Sequence, residues 1–178
     1  MPAYLGSNAV DLSFGSDAVS EAYLGSTLVY RAVHEVEMFP DLTTSGTWTP
    51  KNHTSDSGTA SASVSASAIT LQGRNNSWSW AYPANKIDFT NISKVWVTYT
   101  TTVSGSNSNR WFYVMAHTSV PSSYNQGVAL FTTSSAESQT VEIDVGEISG
   151  EQYLYVSARA YITGTPRINV TITEIKYE

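Results

Sequence analysis

Residues 140–177 read TVEIDVGEISGEQYLYVSARAYITGTPRINVTITEIKY. Val141, Ile143 and Val145 point one way along the first part of this run, and Gly146-Glu147-Ile148-Ser149-Gly150 then turns the chain. Leu154, Val156, Ala158 and Ala160 form an aliphatic side, opposite Tyr153, Tyr155, Ser157, Arg159 and Tyr161. Val170-Thr171-Ile172-Thr173-Glu174-Ile175 closes the chain. A two-residue period marks a strand with one face on a core. Three such strands joined by short turns predict an antiparallel sheet.

The same period runs upstream. Ala60 to Leu71, Ser77 to Tyr82, Ile92 to Val103 and Arg110 to His117 alternate, and Val128 to Thr132 is a short extended run. Eight or so strands between Gly, Ser, Asn and Pro turns, with no convincing helix, predict an all-β, antiparallel sandwich over residues 37–178. Asp41 to Ser57 reads as polar and turn-rich, with Trp48 its one large apolar residue. Phe39-Pro40 ends a linking strand that begins near Ala32.

Residues 1–36 read differently. Tyr4-Leu5-Gly6-Ser7-Asn8-Ala9-Val10 returns as Tyr23-Leu24-Gly25-Ser26-Thr27-Leu28-Val29, with a shorter echo at Phe14-Gly15-Ser16-Asp17-Ala18-Val19. Each unit is an apolar pair, a Gly-Ser turn and a second apolar stretch, hence strand, turn, strand. Units this short enclose no core, so they need a neighbouring surface. This predicts an attachment or assembly segment, and with it self-association.

Composition narrows the function. Charged residues are 13% of the chain, about half the usual share, and the net charge is −6. Nucleic-acid binding needs a basic stripe, and none is legible, so no nucleic-acid partner is expected. No apolar run reaches membrane-spanning length, and the start of the chain lacks a signal-peptide pattern. Cysteine is absent, which excludes disulfides, thiolate zinc sites and a thiol nucleophile. No His-pair spacing, nucleophile elbow or phosphate loop is present. Asp88, Glu142, Asp144 and Glu174 are the carboxylates available to a glycosidase pair, but their placement predicts solvated acids. The expectation is a protein that is not an enzyme and has no cofactor and no metal.

Residues 140–177, with an Asp-bearing alternating strand, an Ile-Ser-Gly turn, an Arg/Ala/Tyr strand and a terminal strand, resemble the closing strands of carbohydrate-binding modules. That resemblance covers about residues 37–178 and implies a jelly-roll β-sandwich and a glycan ligand. Such modules often hold a structural calcium where the first and last strands meet. Glu37, Asp41 and Glu174 are the candidates here, without the dense carboxylate spacing of a calcium loop. Residues 4–31 resemble the YLGSxxV repeats of phage tail and baseplate structural proteins. This second resemblance implies a virion or prophage origin, other tail subunits as partners and a trimeric assembly. Together they suggest a glycan-binding, receptor-binding component of a phage-like tail. A purely structural tail protein and an ancillary module of a glycoside hydrolase are the alternatives.

Three clusters are candidates for a ligand site. Arg74-Asn75-Asn76-Ser77-Trp78-Ser79-Trp80-Ala81-Tyr82 puts Trp78, Trp80 and Tyr82 on one face, beside Arg74 and Asn76. Flat rings suit the C–H side of a sugar, and guanidinium and amide groups suit its hydroxyls. The competing reading makes Trp78 and Trp80 sandwich core with the serines outward. Tyr155, Arg159 and Tyr161 form the second cluster, either a ligand face or a subunit interface, with Tyr124-Asn125-Gln126 as a loop at its lip. Arg110 to Met115 is apolar on both sides, and the side carrying Trp111 and Tyr113 is either buried or a binding face.

Overall fold

The computed structural model describes residues 35–54, 58–105, 109–161 and 166–178 in full, and the strand backbone within residues 3–31. Contacts divide the chain near Glu35, and the body runs from Val36 to Tyr177. In the N-terminal unit β1 (Ala3–Leu5) pairs β2 (Asn8–Val10), β3 (Ser13–Phe14) pairs β4 (Asp17–Ala18), and β5 (Glu21–Leu24) pairs β6 (Thr27–Arg31). All three pairs are antiparallel. Leu5 faces Asn8 and Leu24 faces Thr27, so each Gly-Ser step joins two paired strand ends.

The body contains β7 (Val36–Phe39), β8 (Trp48–His53), β9 (Thr59–Val64), β10 (Ile69–Arg74), β11 (Ser77–Pro83) and β12 (Ile87–Asp88). After a single 3-10 turn at Phe89–Asn91 come β13 (Lys94–Ser104), β14 (Arg110–His117) and β15 (Val128–Thr133). They are followed by β16 (Glu137–Asp144), β17 (Glu151–Ala160) and β18 (Arg167–Tyr177). One sheet runs β16-β13-β18-β10-β9, with β7 also on β18. The other runs β15-β14-β17-β11-β8, with β12 also on β17. Every pairing is antiparallel. Consecutive strands cross between the two sheets, singly or as the neighbours β9–β10, β11–β12 and β14–β15, so the chain winds around the sandwich: this is a jelly-roll β-sandwich.

The core follows from the alternation. Val95, Val97, Ile168, Val170 and Ile172 project from the first sheet against Phe112, Val114, Leu154, Val156 and Ala158 of the second, and all are buried. Burying one such aliphatic side chain contributes about 1.5–3 kcal/mol. Tyr99, Phe112 and Phe131 make a ring cluster with centroids 4.9–6.3 Å apart. Ile172 and Ile175 both reach the core although they are three positions apart, which in a regular strand puts them on opposite faces. The β13–β18 register shifts between Thr98 and Tyr99, where Thr98 faces Glu174 and Tyr99 faces Ile172. The extra residue, Thr173, is the bulge that resets the face.

Three expectations need correction. The alternation over Ala60 to Leu71 is two strands, since Val64 pairs Ile69. Ser65 makes the turn with its hydroxyl, which accepts from the amides of Ser67 and Ala68 in place of a glycine or proline. The polar stretch Asp41 to Ser57 contains β8, an edge strand. Only Trp48 of it is buried, so it shows no apolar period. Ser77 and Ser79 point into the sandwich, not outward, and both are fully buried. The Ser79 hydroxyl accepts from the Gln72 amide. That of Ser77 accepts from the Arg74 amide and donates to the Thr59 carbonyl. Their hydrogen bonds join the two sheets where an aliphatic core is absent.

Candidate functional site

The outer face of the second sheet carries most of the large polar aromatics. Directly paired residues in an antiparallel sheet share a face. Trp78 pairs with His53 and Arg159, and Arg159 pairs with Trp111. His53, Trp78, Arg159 and Trp111 therefore form one row across four strands. The next row is Lys51, Trp80, Ser157 and Tyr113. Residues 118–127, between β14 and β15, fold over that second row.

This loop explains which candidates are accessible. Trp80 is 6% exposed and donates its indole N–H to the Pro121 carbonyl at 3.1 Å. Tyr155 is fully buried, packed with Trp80 and Met115. Its hydroxyl donates to the Gln126 carbonyl and accepts from the Gln126 amide, and burial raises its pKa well above the usual phenol range. Buried Ser157 donates to the Tyr124 carbonyl. Tyr155 and Ser157 thus lie on the outer face of the sheet, as expected, but the loop covers both. Trp80 and Tyr155 belong to a small second core under the loop, out of reach of a ligand. Tyr124, expected at a lip, fills the face instead of rimming it. The reason is local: Pro121, Tyr124 and Gln126 give the loop its own apolar and hydrogen-bonding side.

The first row remains at the surface. Arg159 lies 4.3 Å from the Tyr124 ring centroid and 4.2 Å from that of Tyr161, with Trp78 at 6.0 Å. Arg159 Nη1 also donates to the Tyr124 hydroxyl. Tyr161 is 47% exposed. Trp78 is half-buried, with His53 stacked at 4.0 Å and Tyr124 tilted against it at 5.3 Å. Its ring faces are therefore partly taken. Trp111 is half-buried too, and no other ring packs on it among the described residues. Trp111 was legible as one side of a doubly apolar strand, but its pairing with Arg159 depends on sheet register. Burial raises the pKa of Tyr113, so it stays a neutral phenol beside this row.

Arg74 and Asn76 lie around the corner. Asn75 and Asn76 both have positive φ, 53° and 55°, the pattern of a type I′ turn, which asparagine tolerates. This turn carries the chain from Arg74 in one sheet to Trp78 in the other. Gly73 permits the close approach, since a Cβ there would lie 2.8 Å from the Ala160 amide nitrogen. Arg74 lines an open cleft of about 390 Å³ with Arg167, Ser104 and Gly105. A second cleft, of about 380 Å³, lies at the opposite end and includes Asp144, Glu147 and Val128.

The carboxylates weighed for catalysis are engaged in structure. Asp88 accepts from the hydroxyl and amide of Thr90, which hold its pKa below the ordinary value. Glu142 is held low chiefly by Lys94 at 2.6 Å, and also by the Trp96 indole. Asp144 accepts from the Gly146 amide and Glu174 from the Thr98 hydroxyl. Among the described residues no three His, Asp or Glu side chains are placed to hold a metal ion.

No family model and no curated protein matches the sequence. Among solved structures, the chain is similar to a mutant of a family 29 carbohydrate-binding module from a study of ligand recognition. The two are 12% identical, with 82% of this chain and 92% of that chain covered, at a TM-score of 0.47.

Proposed function

We propose that the protein is a non-enzymatic glycan-binding component of a phage-like tail or baseplate. In this reading residues 1–36 attach it and residues 37–178 bind the sugar. The observation that carries the ligand is the Trp111–Arg159–Tyr161 arrangement: two accessible rings flank a guanidinium held in place by Tyr124. The rings take the C–H face of a pyranose, and the remaining guanidinium N–H groups donate to its hydroxyls. Trp78 and Asn76 extend the surface toward Arg74. The non-enzymatic reading is supported by Asp88 and Glu142, whose pKa values are depressed, whereas a general acid needs a raised one.

Affinity is expected to be weak, because a shallow face buries little area and exchanges hydroxyl–water bonds for similar ones. A glycan array followed by titration tests this. Trp111→Ala and Tyr161→Ala should each lower affinity at least tenfold while the melting temperature of the Tyr161 variant stays near wild type. Wild-type binding in both variants, or no glycan bound at all, rejects the reading. A subunit interface on the same row makes a different forecast: Tyr161→Ala weakens the oligomer in light scattering.

The tail context rests on the repeat, whose two YLGS copies each lie across a paired hairpin. Such short hairpins bury their apolar side only against a partner surface, and a trimer of the whole chain is the expected assembly.

A further inference from the structure

The cleft around Arg74 points to a second chemical demand on the ligand. Arg74 and Arg167 are direct cross-strand partners, and Ser104 faces Arg167 on the other side. Such partners have Cβ atoms about 5 Å apart, and like charges placed so are destabilising. Neither guanidinium bonds a side chain among the described residues, and the Lys94–Glu142 ion pair lies at the other end of the sandwich.

The surroundings repeat the same imbalance. Arg110 opens β14 and Arg159 is next to last in β17, so all four arginines of the body lie at one end, set there by register. The lysines at 86, 94 and 176 and most of the carboxylates lie toward the other end. Buried N–H groups here also lack acceptors: Trp78 Nε1, Arg110 Nε and Arg159 Nε have no hydrogen-bond partner among the described residues. That end therefore carries an excess of positive charge in a chain of net charge −6. A neutral sugar, which donates as often as it accepts, does not correct that excess. An oxyanion does, because it only accepts.

We propose that the Arg74–Arg167–Ser104 cleft binds a carboxylate or sulfate group, so that the ligand is an acidic glycan. This rests on the glycan reading above, with the aromatic row holding a neighbouring sugar ring. The charged end also steers an anionic chain toward the site at low salt.

The test uses the full chain with four probes: hyaluronan (carboxylate), heparin (sulfate and carboxylate), neutral dextran, and polyvinyl sulfonate as a polyanion without sugar. Hyaluronan or heparin should bind at least tenfold tighter than dextran, and the preference should fall steeply with salt. The better of the two identifies the oxyanion. Arg74→Gln with Arg167→Gln should lose at least tenfold affinity for that probe, while Arg167→Lys retains most of it. Each single glutamine variant should melt at or above the wild-type temperature, because a like-charge pair is relieved. A lowered melting temperature with unchanged affinity assigns the arginines to the fold and overturns the proposal. Dextran bound as tightly as both acidic chains overturns it too, yet leaves the glycan reading standing. Polyvinyl sulfonate bound as tightly as heparin supports the oxyanion cleft and removes the glycan. No binding of any polyanion rejects the cleft.

Discussion

Trp78 and Trp80 are two residues apart on one strand face, yet their environments differ because the 118–127 loop covers only one of them. Trp80→Ala removes the centre of the second core and the bond to Pro121, so it should cost about 3–5 kcal/mol in urea unfolding. Tyr155→Phe keeps the ring but strips the partner from the Gln126 amide and carbonyl. A loss of about 1–3 kcal/mol is expected in the same measurement. The sequence showed that Trp78, Trp80 and Tyr82 share a face, and that Leu154, Val156, Ala158 and Ala160 face the core. It did not show which side of β11 faces the other sheet. Two buried serines there satisfy their hydroxyls through the Gln72 and Arg74 amides and the Thr59 carbonyl. Such bonds form between strands distant in pairing order, and local alternation carries no trace of them.

At the scale of elements, Arg110 to His117 was legible to the residue, because eight extended residues end at polar turns on both sides. β8 was not, since an edge strand with one buried tryptophan has nothing to alternate. The covering loop was visible only as a Pro/Ser/Tyr stretch, and its destination depends on tertiary contacts. Gly127 anchors that loop at φ +87°, where an added Cβ would lie 2.1 Å from the Ala116 carbonyl oxygen. Gly127→Ala should therefore lift the loop and wet Trp80. Tryptophan emission should shift to the red, and proteolysis should cut within residues 118–127 before the body unfolds.

At the scale of the molecule, the body has its own core, so a chain beginning at Val36 should melt in one cooperative transition. If residues 1–35 drive assembly, the same truncation should be monomeric in light scattering while the full chain is not. Alkaline pH offers a second global test. Burial, reinforced by the bond to Glu137, pushes the Tyr99 hydroxyl up to about 12 from an ordinary 10. A folded-state pKa above the unfolded one gives stability that is complete below pH 10 and is lost as pH rises toward 12. The melting temperature should fall across that window, and Tyr99→Phe should flatten the fall. The charge asymmetry, by contrast, was hidden in a net charge of −6, since register alone gathers the arginines.

The winding between the sheets has a consequence for how the protein is made. The last two strands, β17 and β18, occupy the middle of their sheets, β17 between β14 and β11 and β18 between β13 and β10. While the chain is still emerging from the ribosome, neither sheet has its central strand, and β10, β11, β13 and β14 expose unpaired backbone on the side awaiting it. Folding of the body must wait for synthesis to reach Tyr177. Stopping translation before Glu151 would leave two half-sheets prone to aggregation, not a slightly shortened domain.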